Sequence, residues 1–398
     1  MTVHVDVDSR PGAWLRNSDA IDVRRINLVR VLQIIMRDGD TSTRARIARE
    51  TSLTSATVSS LVAQLMESRL VVEGDRATSE GGRRATTLSV DVKHHVVLAL
   101  IARPHALSVG TVDLAGNLIE ASSRELARPI TADDVVELAV ECARDQTANI
   151  LAIGIQIPGV VNQREVIESA QLAWEGIRIA DPIEKSLDVS TFLINDAAAE
   201  ALAECAAARW QTRSQLFVHL GEGIGAAKVE NGELATGGSG RAGEIGHVRV
   251  VFDESAAHCR CGRRGCLESV ASLSAILGAE YRDDASAADV SRLASEPAAA
   301  ERMSRASRAL SRVLLFACAL VDPDEVVIDR HAAALGQGFL TAINDDFDRH
   351  HGMGTRNVVA RYASNDKPFF GVAQFALSRA TGLRWNAAEL PRQTRHDL

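Results

Sequence analysis

Three cysteines fall within eight residues in the run His258-Cys259-Arg260-Cys261-Gly262-Arg263-Arg264-Gly265-Cys266, and its glycines let the chain fold back on itself. Thiols this close along a chain disfavour relaxed disulfides, whose Cα atoms and Cβ vectors must meet a narrow geometry. In a reducing compartment such a knot reads as zinc ligation, with three free thiols as the competing reading. A tetrahedral structural site needs a fourth ligand. His258 is nearest in sequence, and His247, in Gly243-Glu244-Ile245-Gly246-His247, is the alternative. The remaining cysteines, Cys142, Cys205 and Cys318, stand singly in apolar or helical surroundings and read as buried free thiols.

A second group suits nucleic acid. Ser55, Ala56, Thr57, Ser59 and Ser60 offer small side chains and hydroxyls that bond base edges or phosphates. Arg44, Arg46 and Arg49 lie just ahead of them, placed for phosphates, and Arg83 and Arg84 follow, suited to a narrow minor groove. The other reading of this region is a dimerisation module with a solvated arginine face.

These side chains need elements to position them. Leu28, Val31, Leu32, Ile35 and Met36 recur at helical spacing up to Asp38-Gly39-Asp40. A short helix over Thr43 to Glu50, with Ala45, Ile47 and Ala48 inward, precedes a third helix capped by Thr54, whose Val58, Leu61, Val62, Leu65 and Met66 form one stripe. Three helices in this order make a helix-turn-helix, with the serines and Thr57 at the start of the helix that meets the major groove. Leu70 to Glu73 and Thr86 to Val90 are two strands around a loop containing Gly81-Gly82, which makes a wing.

From residue 94 strands alternate with helices, predicting an α/β domain with parallel pairing. Strands fall at 96–101, 107–112, 150–157, 192–194, 215–220 and 325–328, helices at 131–148 and within 268–320, and a terminal helix near 333–349. The chain therefore divides into a leader (1–20), a winged helix-turn-helix (21–90) and an effector domain in two lobes (91–398).

Length and composition agree with this division. The chain has 398 residues, 46% of them apolar and 24% charged, as in a globular protein of two or three domains. Its longest apolar run, Val313 to Val321, is far short of the roughly 20 residues that span a bilayer, and no apolar segment of a signal peptide opens it, so a soluble, cytoplasmic protein with no membrane partner is expected. The net charge of −8 argues against wholesale coating of nucleic acid. Residues 1–90, however, hold 13 Arg and no Lys against 11 acids, a balance of +2. The N-terminal segment is the relatively basic part.

The run Ala242-Gly243-Glu244-Ile245-Gly246-His247, followed by Cys259-x-Cys261-Gly262-x-x-Gly265-Cys266-x-Glu268, resembles the signature of the ROK family, which groups sugar kinases with transcriptional repressors. Ile157-Pro158-Gly159-Val160-Val161, Asn195-Asp196-Ala197, Leu220-Gly221-Glu222-Gly223-Ile224-Gly225 and Asn231-Gly232 extend the likeness over residues from about 95 to 380. The extra winged helix in front resembles the repressor branch, such as xylose-repressor-type regulators.

The resemblance implies an actin-like (ribonuclease-H-like), two-lobed α/β domain with sugar in its cleft. It implies that Asn195, Asp196, Glu244, His247 and Glu268 bind sugar hydroxyls, and that His247, Cys259, Cys261 and Cys266 are the zinc ligands. His247 would then face sugar with one ring nitrogen and zinc with the other, leaving His258 a bystander. Gln171, in Ala170-Gln171-Leu172-Ala173-Trp174, stands where the family usually has Asn.

The kinase half of the pattern is eroded. The Asp-x-Gly-Gly-Thr phosphate loop of the family's kinases falls here on Ile101-Ala102-Arg103-Pro104-His105, the second phosphate loop carries Glu222, and the adenosine-side Gly-Gly-Gly reads Asp329-Arg330-His331. Phosphoryl transfer needs backbone N–H groups, metal and positive charge around the triphosphate. Pro104 has no N–H, and a carboxylate repels phosphate. Asp196 matches the family's catalytic base, a role that requires a phosphoryl donor, so no catalytic residue is assigned. The expectation is a non-enzymatic regulator whose partners are operator DNA and a sugar or sugar-derivative effector, acting as a homodimer or higher homo-oligomer.

Overall fold

A computed structural model describes residues 23–76, 85–207, 214–282, 285–350, 358–365 and 367–385. The expected leader and the wing-tip residues Arg83 and Arg84 lie outside the described residues.

The N-terminal module follows its hydrophobic spacing. Helix α1 (Val23–Asp38) buries Leu28, Val31, Leu32, Ile34 and Ile35. After a two-residue strand β1 (Ser42–Thr43), α2 (Arg44–Thr51) starts on Thr43, whose side chain accepts from the Arg46 N–H. Only Ile47 and Thr51 of α2 are buried; Ala45, expected inward, is exposed, because two residues along a helix turn a side chain to the opposite face. Thr54 caps α3 (Ser55–Glu67), accepting from the Thr57 N–H at 3.1 Å. Strands β2 (Val71–Arg76) and β3 (Thr86–Val90) pair antiparallel, and β1 adds to β3.

The first lobe corrects one expectation. Strands β4 (His95–Arg103), β5 (Ala106–Asp113) and β6 (Leu118–Glu125) form an antiparallel meander. Parallel pairing of β4 with β5 is ruled out by linkage: only Pro104-His105 joins them, and a parallel crossover takes a dozen or more residues. Such a crossover does exist in α4 (Ala132–Asp145), started by a Thr131–Asp134 capping box, which brings β7 (Asn149–Ile157) parallel to β4. The short strands β8 (Val160–Val161), β9 (Val166–Ser169) and β10 (Trp174–Ile177) form a small sheet of their own. Helix α5 (Ala180–Leu187) then leads to β11 (Thr191–Asn195), giving the order β11-β7-β4-β5-β6.

Helix α6 (Asp196–Ala207) carries the chain to the second lobe. There β12 (Ser214–Leu220), β13 (Ile224–Glu230) and β14 (Glu233–Leu234) are followed by helices α7 (Glu268–Ala271), α8 (Leu273–Leu277), α9 (Ala287–Ala294) and α10 (Pro297–Val321). Strand β15 (Glu325–Ile328), α11 (Gln337–Arg349) and β16 (Ala360–Tyr362) complete a sheet ordered β14-β13-β12-β15-β16.

The helix expected last is not last. Helix α12 (Phe370–Thr381) follows and packs on the first lobe's sheet and on α6, with ten of its twelve residues buried. A helix apolar all round shows no stripe, so periodicity does not reveal it. Gly371 lets it cross α6 closely, since a methyl there would overlap the Ala199 carbonyl oxygen. Among the described residues no helix is long and apolar enough to cross a membrane.

Three core clusters result among the described residues, and one of them runs without a break from the N-terminal helices through Leu383, Trp385 and Phe370 into the first lobe and α6. Polar contacts accompany this joint. The Gln33 amide accepts from the Arg384 N–H at 2.8 Å and donates to the Arg384 carbonyl at 2.7 Å, and Trp385 Nε1 donates to the Leu114 carbonyl at 2.8 Å. Gln33→Ala leaves two backbone groups without partners. It is expected to cost about 1–3 kcal/mol and to lower Tm by roughly 2–4 °C per kcal/mol; calorimetry showing an unchanged Tm would mean that the contact is not holding the modules together.

Candidate functional site

The cysteine knot closes by backbone bonds. Cys259 N donates to the Arg263 carbonyl at 2.8 Å, and Gly262 N to the Cys259 carbonyl at 3.0 Å. Gly265, at φ +75°, lies against the Val251 carbonyl where a side chain would collide. Cys261 and Cys266 sulfurs are 3.7 Å apart, and Cys259 Sγ is 3.6 Å from His247 Nδ1. Ligand–metal distances near 2.3 Å for sulfur and 2.0–2.1 Å for nitrogen put tetrahedral neighbours about 3.6–3.8 Å apart. The four ligand atoms of His247, Cys259, Cys261 and Cys266 all lie within 4.8 Å of one another, so the cluster can hold a metal ion. His258 is exposed and bridges to Arg264; between the two histidines left open by spacing, His247 is the one beside the sulfurs.

The thiols differ in acidity. Burial pushes Cys261 up, but the Arg263 backbone N–H and guanidinium donate to its sulfur and bring it down to about 7. Burial, followed by the charges of Glu325 and Glu204, carries Cys205 to about 12. Cys205 is buried as expected, whereas Cys142 and Cys318 are only half-buried. In chelator-treated protein at pH 7.5, iodoacetamide is expected to label Cys261 well ahead of Cys205; peptide mass spectrometry showing equal rates would contradict this.

Beside the knot lies a cleft of about 190 Å³, lined by Asn195, Asp196, Glu244, His247 and Glu268 together with Gln171, Arg241 and Arg263. The end of β11 and the start of α6 present Asn195 and Asp196. The Asn195 amide is fixed, accepting from Ala198 N at 2.9 Å and donating to Asp196 Oδ1 at 2.7 Å. Asp196 Oδ1 also accepts from Ala197 N, while its Oδ2 faces His219 Nε2 at 4.0 Å.

Glu244 and His247 come from the turn after Gly243, whose φ of +96° and close approach to the Ala226 carbonyl exclude a side chain. Burial raises the Glu244 carboxyl, and the His247 charge partly offsets this. His247 turns Nδ1 to the sulfurs and Nε2 to Glu244, at 3.8 Å. Glu268, opening α7, accepts from the Ile224 N–H at 3.3 Å and lies 3.7 Å from the Cys259 sulfur. Four groups able to accept hydroxyl protons thus converge around one oriented imidazole. Sequence reasoning missed Arg241 and His219 here, since neither stands in a recognisable motif.

A family model described as the ROK family matches residues 105–378. The chain belongs to the ROK family. A putative xylose repressor from Caldicellulosiruptor sp. (strain Rt8B.4) is 30% identical over 265 residues, 64% of this chain; the match spans 66% of that repressor's length, just under two thirds. The DNA-binding transcriptional dual regulator NagC of Escherichia coli (strain K12) is 25% identical over 358 residues, covering 84% of this chain and 87% of its own. In fold, the chain is similar to a ROK family transcriptional regulator, a homologue of the E. coli Mlc protein, with a TM-score of 0.72 over 88% of this chain and 95% of that one at 20% identity.

Against the ROK kinase pattern, two of the three eroded positions group in space. Arg103, at the two-residue hairpin formed with Pro104 and His105, lines a second cavity of about 310 Å³ with Glu200, Asp329, Arg330 and His331. The basic groups Arg103, Arg330, His331 and Lys367 sit exposed at its rim, while Asp329 is buried at its base. Glu222 lies apart, accepting from Arg260 Nη1 at 3.0 Å. Burial pushes Glu200 up to about 7, helped by the charge of Asp329. Burial alone would lower His219, but the charges of Glu200 and Asp196 outweigh it and hold it well above its ordinary value.

On the N-terminal module of this ROK chain, Ser55, Ser59 and Ser60 are exposed and Thr57 is half-buried, its hydroxyl 2.9 Å from that of Thr54. Arg44 pairs with Glu73 and Arg46 with Asp38, each at 2.8 Å. To reach phosphates, both arginines must exchange those partners, which costs little for the part-exposed Arg44–Glu73 pair and more for Arg46, whose partner Asp38 is only 3% exposed.

Proposed function

We propose that this ROK protein is a sugar-responsive DNA-binding repressor whose kinase-like domain binds a sugar effector without phosphorylating it. The observation that carries this reading is the contrast between two neighbouring cavities. Asn195, Asp196, Glu244, His247 and Glu268 share one cleft, while the position expected for a triphosphate has Glu200 and Asp329 in its wall. A polyol finds acceptors in the first; in the second, a nucleotide that passes the basic rim meets two carboxylates in the wall. The names of the xylose repressor and NagC relatives support the same reading.

In this reading the metal held by His247, Cys259, Cys261 and Cys266 is zinc, favoured by three thiolates and one imidazole. Zinc supplies fixed ligation there, and His247 is left to aim Nε2 at a sugar hydroxyl. Ser55, Thr57, Ser59 and Ser60 read operator bases, Arg44 and Arg46 contact phosphates, and Arg83 and Arg84 extend the contact through the wing. A homodimer on a palindromic operator suits this module, with higher oligomers built from it. Sugar acts by binding one relative arrangement of lobes and N-terminal modules better than the other, which is the only way a ligand shifts such an equilibrium. Gln33, Arg384 and Trp385 lie on the physical path between them.

The test is a thermal-shift screen of zinc-replete protein against monosaccharides, their phosphates and ATP. A ligand that binds only the folded state raises Tm. A rise with one sugar and none with ATP is expected. A clear rise with ATP, followed by phosphate transfer to that sugar, would overturn the proposal in favour of a kinase.

A further inference from the structure

Where His219 lines the cleft, three side chains from three elements meet. His219 is next to last in β12, Glu200 projects from α6, and Asp329 follows β15. His219 Nδ1 is 3.0 Å from Glu200 Oε2 and 3.1 Å from Asp329 Oδ2. A ring nitrogen carries at most one proton, so it can donate to only one of two carboxylates. The directed hydrogen bond goes to Glu200. Asp329 is 3% exposed, and its Oδ1 is satisfied by the His331 N–H at 2.9 Å. Its Oδ2, aimed at the same nitrogen, is buried without a hydrogen bond. A buried carboxylate oxygen left in this state is costly unless something positive meets it.

We propose that Glu200, His219 and Asp329 form a second metal site, for a divalent first-row cation, distinct from the cysteine cluster. The spacing suits it. Ligand bonds of about 2.1 Å place adjacent donors of an octahedral ion about 3.0 Å apart, and the ligand atoms of all three residues lie within 4.8 Å of one another. One imidazole and two carboxylates make a harder donor set than three thiolates, accepting zinc or manganese. The cavity bordered by Glu200 and Asp329 leaves room for water ligands. Ligation at Nδ1 fixes the remaining ring proton on Nε2, which faces Asp196 Oδ2. At 4.0 Å this is an electrostatic contact and not a hydrogen bond, so Asp196 favours that ring orientation by its charge. The ion ties α6, which joins the lobes, to two strands of the second lobe.

Full-length protein with its cysteine site filled by zinc is dialysed against micromolar zinc(II), and in a separate arm manganese(II), and the metals are counted by mass spectrometry. The wild type is expected to hold two divalent ions per chain in at least one arm. Glu200→Gln and Asp329→Asn are expected to hold one, while Glu137→Gln, at an exposed carboxylate of α4, keeps two. Should Asp329→Asn fail to fold, the half-buried Glu200 decides alone. A single ion per wild-type chain in both arms, or a second ion that persists in Glu200→Gln, would overturn the proposal and leave a charged imidazole between two carboxylates.

Discussion

Cys259→Ser or Cys266→Ser, each expected to abolish zinc binding at the knot, should weaken effector binding by about 10–100-fold, the range for loss of groups that orient a site from behind. The argument runs through two contacts. Cys259 Sγ lies 3.6 Å from His247 Nδ1 and 3.7 Å from Glu268 Oε1, so the sulfur that would hold the metal also touches two cleft residues. Cys266 stands two residues before Glu268 and is buried. Without a metal, the polar contacts of the His247 ring among the described residues are weak: the Cys259 sulfur at 3.6 Å and the Glu244 carboxylate at 3.8 Å. The check is metal content together with calorimetric titration of whichever sugar stabilises the wild type. Full sugar affinity in a zinc-free variant would sink the idea that the metal shapes the cleft.

Asp196→Asn should separate sensing from DNA binding. Asp196 lines the cleft; its Oδ1 is occupied by Ala197 N and Asn195 Nδ2, which leaves Oδ2, 4.0 Å from His219 Nε2, as the oxygen without a hydrogen bond among the described residues. The substitution keeps the helix start and removes the charge. A hydrogen bond to a charged group contributes about 1.5–3 kcal/mol, so sugar affinity should fall by roughly 10–150-fold, at 1.4 kcal/mol per tenfold. Operator affinity without sugar should stay at the wild-type level, producing a repressor that sugar releases poorly. Fluorescence anisotropy of labelled operator, titrated with sugar, reads both quantities. An unchanged sugar midpoint would remove Asp196 from the binding site.

The N-terminal module was legible because its signals are local. Thr43 and Thr54 cap α2 and α3, and one face of α1 and of α3 is apolar. What failed there was register on a short element: α2 offers too few residues for a stripe, so Ala45 was misplaced. In the first lobe the expected parallel pairing holds for β11, β7 and β4, which helices connect, while the two-residue link at Pro104-His105 makes β4 and β5 a hairpin. Helix α12 escaped because burial on every side erases the contrast on which periodicity depends.

By itself the sequence determined the chemistry available: three thiols in one short loop, a pair of amide and acid at Asn195-Asp196, and an eroded set of phosphate loops. Motif and spacing are properties of neighbours along the chain, so they can be read there. Only the tertiary structure decided which histidine joins the thiols, because His247 is eleven residues farther along the chain from them than His258 and reaches them through the turn at Gly243. Only the fold showed that Arg44 and Arg46 already have acidic partners. It alone brought Glu200, His219 and Asp329 to one point. They lie on a helix and two strand ends, the outer two 129 residues apart in sequence. Their meeting depends on how β12 pairs with β15 and how α6 packs against both, and a pairing of distant strands leaves no mark in the local pattern of either.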